Sequence, residues 1–503
     1  MFARSMTLLL CLAAFAVVTQ PQQDSAKRSV ETQSGTVIRS QHLRKVIEFP
    51  AEADSIVSVT TNRNGSLIAY TINRFKVRSA FGRIGALLTL KVDKLDRVDS
   101  TLKIWDVVTG QLKTTVRDET ISGFAEPYLT PDGKIVATRD ATFIPAVKLW
   151  SLETGTLLSS LQGPAKGLTM CALSPDGEFF ATAYEDGTAR LWIVSTGEPT
   201  ATLGSPPPKQ KGSWLKRWAN NELVEPTYNV RLYFSPDSKL LATVGTVINI
   251  WNNEIRETNV WDTTTGQLRF VVPGSDSFYG YWKEAGGLQF NPDSSIIATT
   301  YTDRNGAGNL MVNSVKLWNS RDGSLLKTLE HARNPVSFSP DGKRLATGIV
   351  HWDDDGTWAF IGEIWNVETG KLEMRLSDPK GSLDEIFWSP DGRTLATTGG
   401  GKYTLTLWDS ESGQQKTQTR LVRNHCYDPL GDCISDQDYI CFSPDGCFLI
   451  AANKKSLRLI DARTGAVVEK VEGIGRPAFF LSNGQLVTRS ANKKSVTVWE
   501  ILG

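Results

Sequence analysis

The feature that most constrains this chain is a sentence of about thirty residues, written again and again along it. Its clearest copy runs from Leu383 to Gln414, LDEIFWSPDGRTLATTGGGKYTLTLWDSESGQ. A strand ends at Trp388 and meets the turn Ser389-Pro390-Asp391-Gly392. A second strand follows over Thr394–Thr397, and a third over Leu405–Asp409 leads into a turn at Ser412-Gly413. Pro presets φ at the second turn position, Asp caps the turn locally, and Gly takes the left-handed position. The first turn recurs at Asn64-Gly65, Pro131-Asp132-Gly133, Pro175-Asp176-Gly177, Pro236-Asp237-Ser238 and Pro292-Asp293-Ser294. It recurs again at Pro340-Asp341-Gly342, Pro390-Asp391-Gly392, Pro444-Asp445-Gly446 and Asn483-Gly484. The third strand closes on a Trp in eight copies, at residues 105, 150, 192, 261, 318, 365, 408 and 499, and on Ile460 in the remaining one. A fourth short strand follows, as at Ser324–Leu329.

Four short strands per unit, repeated every forty to sixty residues or so, mark the blade of a β-propeller. No blade is large enough to bury its faces alone, so blades must stack radially, and the terminal Trp reads as packing between them. The expected fold is all-β: a single closed propeller of four-stranded antiparallel blades over residues 40–503, nine by repeat count. The ninth unit lacks a fourth strand, whereas His42–Phe49 looks like a fourth strand with no first three. Joining them closes the ring and removes exposed strand edges.

The repeated SPDGxxLAT…VxLWDxxTGxL pattern resembles that of WD40-repeat proteins, of an exported bacterial type, and the resemblance covers roughly residues 40–503. It implies ring closure by a strand from the other terminus and seven or eight blades as the usual number, so counts below nine stay open. It also implies a Gly-His pair before each first strand, its His bonded to the Trp. This chain holds only four histidines, so nine such networks cannot form. Blade rigidity is then expected from apolar stacking and from the turns.

Composition adds an address. Arg4 precedes the apolar run Thr7–Val18, with Ala14-Phe15-Ala16 as one cleavage site. A run of that length suits a secretory signal better than a membrane span. Residues 1–20 read as a signal peptide and 21–39 as a polar, disordered spacer, which places the mature chain in the periplasm or outside the cell with no membrane span. A net charge of +1, together with export, gives no reason to expect a nucleic-acid partner. Cys426 and Cys433 share one loop and are candidates for a disulfide; Cys441 and Cys447 flank a turn and should point to opposite faces.

Because strands alternate in direction, turns 1–2 and 3–4 share one face of the ring, while links 2–3 and blade-to-blade links share the other. The first set is short and uniform. Long insertions fall in the second set, near residues 73–100, 204–229, 247–257, 274–284, 301–313, 349–362 and 420–436. Trp214, Trp218, Trp251, Trp282, Trp352 and Trp358 all lie in or beside them. With Lys216 and Arg217 on a basic segment, and Asp353 and Asp354 on an acidic one, they form the candidate partner-binding face. No catalytic motif and no metal-ligand spacing emerges, and no cofactor is expected. The expected function is a non-catalytic scaffold for protein partners, unidentified by sequence. The rival is a propeller that binds a glycan or small ligand, or an enzyme, through the same Trp-bearing face.

Overall fold

The computed structural model describes residues 42–50, 55–74, 99–118, 124, 127–139, 146–164, 167–204, 227–248, 253–273, 288–304, 311–352, 358–376, 383–399, 404–420, 439–452, 456–490 and 492–502. The stretches expected as a signal peptide, residues 1–20, and as a spacer, residues 21–39, lie outside them. Every strand of the described residues belongs to one of nine four-stranded antiparallel sheets. Blades I to VIII occupy residues 55–118, 128–161, 168–203, 227–272, 288–330, 333–376, 383–420 and 439–472, each with its strands in chain order. Blade IX takes its first three strands from Arg476–Phe480, Leu486–Arg489 and Ser495–Ile501, and its fourth from Leu43–Pro50. Leu43 pairs with Ile501 and Pro50 with Ser495. Beyond the sheet, Leu502 N donates to His42 O at 2.8 Å, and His42 N donates to Glu469 on blade VIII at 2.9 Å. The ring therefore closes with nine blades, through the strand expected near residues 42–49.

First strands of neighbouring blades touch one another, as Leu168–Leu173 does Thr227–Phe234, so they lie nearest the axis. Fourth strands form the rim, where Leu157, Leu268 and Leu325 are exposed. Among the described residues the core consists of nine apolar clusters, one in each seam between consecutive blades. One joins blades III and IV through Leu191, Leu203, Leu232, Leu241 and Trp261. Another joins blades IX and I through Phe49, Ile56, Ile68, Val487 and Val498, so the closing seam is built like the others. Full burial of each such side chain contributes roughly 1.5–3 kcal/mol.

Apolar stacking is not the whole account of blade rigidity. In seven blades the third-strand Trp donates its indole N–H to a Thr on the second strand of its own blade. The pairs are Trp150–Thr138, Trp192–Thr182, Trp261–Thr243, Trp318–Thr299, Trp365–Thr347, Trp408–Thr397 and Trp499–Thr488, at 2.8–3.0 Å. The Thr of the LAT triplet thus satisfies a donor that would otherwise be buried without a partner. Blade I departs: Tyr70 stands in the Thr place, stacks on Trp105 and donates to Pro50 O at 2.7 Å, leaving the Trp105 indole nitrogen without a hydrogen bond. Tyrosines also pack beside the Trp in blades III and V. The Tyr184 hydroxyl accepts from Thr182 at 3.0 Å, and a Cβ on Gly163 would sit 2.3 Å from its ring. Tyr301 donates to Pro273 O and packs beside Trp318.

Candidate functional site: one plain face and one elaborated face

The strand order fixes which links share a face. Turns between first and second strands and between third and fourth strands lie together, and they are held by their own side chains. In the turn of blade VII, Ser389 Oγ donates to Asp391 Oδ1 at 2.5 Å, and that oxygen also accepts from Arg393 N at 3.0 Å. Ser389 Oγ in turn accepts from Thr394 N at 2.9 Å. The pattern recurs at Ser174, Ser235, Ser339 and Ser443. Its electrostatic trace is a carboxyl held below its usual range, at Asp341 by the Ser339 hydroxyl and at Asp409 by the Ser412 backbone N–H.

Successive turns also nest. A Cβ on Gly177 would meet the Pro131 ring at 2.4 Å, and Gly177 itself has φ +80°. Where Ser replaces Gly, at Ser238 and Ser294, φ is 63° and 65°. There the hydroxyls accept from Asp176 N and Asp237 N in the preceding turns, each at 3.0 Å. A hydrogen bond between blades offsets the strained backbone. This face is uniform and its polar groups are largely used internally.

The opposite face carries the links between second and third strands and between blades. Here three neighbouring blades are extended. In blade V, among the described residues, the first strand pairs as far as Thr299, and the second and third strands continue together to Arg304 opposite Met311. In blade VI the second strand pairs with the first as far as Gly348, and its third strand pairs with the fourth from Gly362. Ile349–Trp352 and Trp358–Ile361 then run on as a two-stranded ribbon. Blade IV is longer on three strands, through Thr227, Ile248 and Asn253. The insertions near 247–257, 301–313 and 349–362 are therefore strand extensions over much of their length and not loops throughout.

The structure makes Trp352 and Trp358 direct register partners at the end of the blade VI ribbon. Trp214, Lys216, Arg217, Trp218, Trp251, Trp282, Asp353, Asp354, Cys426 and Cys433 lie outside the described residues. Cys441 is half-buried, with Sγ 3.2 Å from Phe442 O, and no disulfide joins it to Cys447. Trp388, on a first strand, donates to Ser337 O of blade VI at 3.0 Å, which makes it a brace between blades. Among the described residues no group of three or more His, Cys, Asp or Glu is placed to hold a metal ion, and no helix is long and apolar enough to cross a membrane.

A set of cations on this face was missed in the sequence. Arg476 opens the first strand of blade IX, Arg489 ends its second strand, and Lys493 lies in the link to the third. The two arginines are direct partners across the strand pair. Arg489 reaches over the seam and donates to Val57 O of blade I at 2.6 Å, and Lys493 O accepts from Ile56 N at 2.7 Å. Burial first, and then the neighbouring positive charges, hold Arg489 and Lys493 below their usual ranges. The available signal was an Arg directly after the LAT-type Thr, at Thr138-Arg139 and Thr488-Arg489. Arg139 likewise reaches the next blade, at Leu168 O, 3.5 Å away.

Comparison with known proteins agrees with this architecture. The family model described as "WD domain, G-beta repeat" matches residues 155–192, the fourth strand of blade II and the first three strands of blade III through to Trp192. The chain is 24% identical to the mouse "Periodic tryptophan protein 2 homolog" over 51% of its length and 30% of that protein's. It is 25% identical to "Periodic tryptophan protein 2" of Arabidopsis thaliana over 72% of its length and 34% of that protein's. With "Nuclear distribution protein nudF 1" of Talaromyces marneffei it shares 24% identity over 64% of its length and 67% of the relative's. The chain spans about a third of the length of the first two. A solved structure titled "Crystal structure of the eukaryotic initiation factor" matches in fold with a TM-score of 0.53 at 14% identity, covering 84% of this chain and 89% of that one. The protein is a closed nine-bladed propeller in which one stretch, residues 155–192, matches the WD-domain repeat model and which is similar in sequence to the eukaryotic proteins named above.

Proposed function

We propose that this propeller is a non-catalytic scaffold that docks protein partners on its elaborated face, after export to the periplasm or the cell exterior. The observation that carries the reading is the asymmetry of the two faces. On one, short turns use their polar groups on themselves and on each other. On the other, blades IV, V and VI extend their central strands side by side. The extension of blade VI ends in a backbone register pair of Trp352 and Trp358, and Trp carried on a ring scaffold is the residue type that most often dominates protein interfaces. Similarity to WD-repeat relatives supports a docking role, and the apolar run Thr7–Val18 supports export.

The test uses the mature chain as bait against an envelope extract, with a Trp352→Ala/Trp358→Ala double variant as control. Saturable protein capture that the double variant loses is the expected outcome. Saturable binding of purified oligosaccharide, lost in the same variant, would instead favour a glycan-binding propeller. Capture indifferent to both substitutions would overturn the assignment of this face. Export is checked separately: the mature N-terminus should lie beyond the apolar run, and an intact Met1 in the cytoplasmic fraction would refute it.

A further inference from the structure

We infer that the inner edge of the blade VI ribbon, Ile349–Trp352, receives an extended, uncharged segment of a protein partner as an added strand. This rests on the elaborated face being the docking surface, and it names the mode of docking and its chemistry. The second strand of blade VI pairs with the first as far as Gly348, opposite Arg333, and then runs on for four residues beside Trp358–Ile361. The neighbouring chain leaves the edge so created open. Blade V ends at Glu330 and the first strand of blade VI starts at Arg333, so the link between them is only His331 and Ala332, both spent in crossing from one blade to the next. Among the described residues, none pairs with Ile349–Trp352 on the first-strand side. In an antiparallel strand every second residue turns its N–H and C=O towards such an edge.

Sequence separates this ribbon from the other two extended blades. Sheet edges are ordinarily blunted by charge, by Pro or by a covering element. In blade IV the first strand accompanies the second to Thr227 opposite Ile248, and the third strand carries Glu254 and Arg256. The second strand of blade V ends in Asp303 and Arg304. Ile349-Val350-His351-Trp352 and Trp358-Ala359-Phe360-Ile361 contain no Pro and no Asp, Glu, Lys or Arg. β-Branched and aromatic residues predominate, the types that suit a paired strand. Two strands alone are marginal in water, and a third stabilises them. The same composition selects the occupant. A ribbon without ionic side chains offers a charged segment nothing to offset the loss of its hydration, so the segment is uncharged where it pairs. Its backbone N–H groups must be available, which excludes Pro at the pairing positions. Running antiparallel to Ile349–Trp352, it takes the direction of Arg333–Phe338 and continues the line of that strand outward.

The experiment titrates the full chain with a fluorescent Lys-Thr-Val-Thr-Val-Thr-Val-Lys peptide, and beside it the same peptide N-methylated at its Thr and Val amides. The parent peptide should bind, and N-methylation should weaken it by about tenfold or more, because it removes the donors that an added strand uses. Val350→Lys puts a charge on the edge and should weaken the parent peptide by about tenfold. Thr264→Lys, exposed on the plain face, should leave it unchanged. Amide exchange over Ile349–Trp352 should slow when the peptide binds. Thermal midpoints show whether Val350→Lys folds; if it does not, the N-methylated peptide and the exchange measurement still decide. Absence of binding, equal affinity for the N-methylated peptide, or indifference to Val350→Lys in a folded protein would overturn the inference. So would a concentration-dependent dimer that slows the same amides without peptide, since a second copy would then be the occupant. If the peptide fails while capture that depends on Trp352 and Trp358 persists, this inference falls and the docking reading stands.

Discussion

Trp192 and Trp105 occupy the same place in their blades but differ in one hydrogen bond. The Trp192 indole N–H is buried against Thr182 Oγ1 at 2.9 Å, while that of Trp105 is buried with no partner. Removing an acceptor from a buried donor costs the desolvation of the orphaned group, about 1–3 kcal/mol. Thr182→Val should therefore lower stability by about that amount, read from the denaturant midpoint at unchanged slope. Trp192→Phe should cost more than Trp105→Phe, because only the first loses a hydrogen bond. Equal losses would show that ring volume alone matters. Titration offers a second check at this scale. Glu363, 1% exposed, has its carboxyl raised above the usual glutamate range by burial, although Arg375 at 2.9 Å opposes the shift. A raised folded pKa means that its stabilising effect is fully present below the unfolded pKa and is lost as pH rises through the folded one. The stability of Glu363→Gln relative to wild type should thus improve as pH rises from the acid side towards neutrality. A flat difference across that range would contradict the assigned direction. The sequence announced the Trp of each repeat; it did not announce the Thr. A Thr in a β-strand has an ordinary explanation in strand propensity, so the bond becomes visible only when the register sets Thr182 beside the ring.

The turn is the element that repeats most faithfully, and its glycine answers two separate demands. Gly484 has φ +85° with nothing within 4 Å of an added Cβ, so only the backbone conformation calls for glycine there. Gly177 has φ +80° and also lies where a Cβ would come within 2.4 Å of the Pro131 ring in the preceding turn. Gly484→Ala should cost about 1–2 kcal/mol, the left-handed penalty. Gly177→Ala should cost that and about 1–3 kcal/mol more for overpacking, which calorimetry of the two variants can separate. Equal costs would mean that the turns do not nest. The turn chemistry was legible in Ser389-Pro390-Asp391-Gly392 because each residue has a local reason to be there. The extended ribbons of blades V and VI were harder to see. Nothing in Tyr301–Arg304 or Ile349–Trp352 distinguishes a strand continuing without its flanking neighbours from a long loop. That difference resides in pairing across the link, which is a property of two segments and not of one.

Closure belongs to the whole molecule, because no single blade contains it. A ring of repeats whose last sheet is completed by the other end of the chain has no free blade face, and every seam can be equally apolar. The strand Leu43–Pro50 is thus a structural member despite its place near the start of the sequence. Phe49 measures this. It is fully buried in the seam of blades IX and I among Ile56, Ile68 and Val487, and its ring lies 5.2 Å from that of Trp105. Phe180 is buried to the same degree in the seam between blades II and III. A terminal strand that merely rested on the ring would fray, and truncating its side chain would then be almost silent. A strand that locks the ring makes the two phenylalanines equivalent. Phe49→Ala and Phe180→Ala should each lower the unfolding free energy by about 3–5 kcal/mol. Removing residues through Pro50 altogether should cost more than either, since it uncovers Val496 and Val498 and leaves the ninth sheet with an unpaired edge. The measurement is equilibrium unfolding followed by Trp fluorescence, with the strand's amide exchange as an independent readout. If Phe49→Ala proves neutral while Phe180→Ala is severe, or if amides of Leu43–Pro50 exchange far faster than those of Ser495–Ile501, the ring is stable without its latch. Closure would then be an outcome of the fold and not one of its causes.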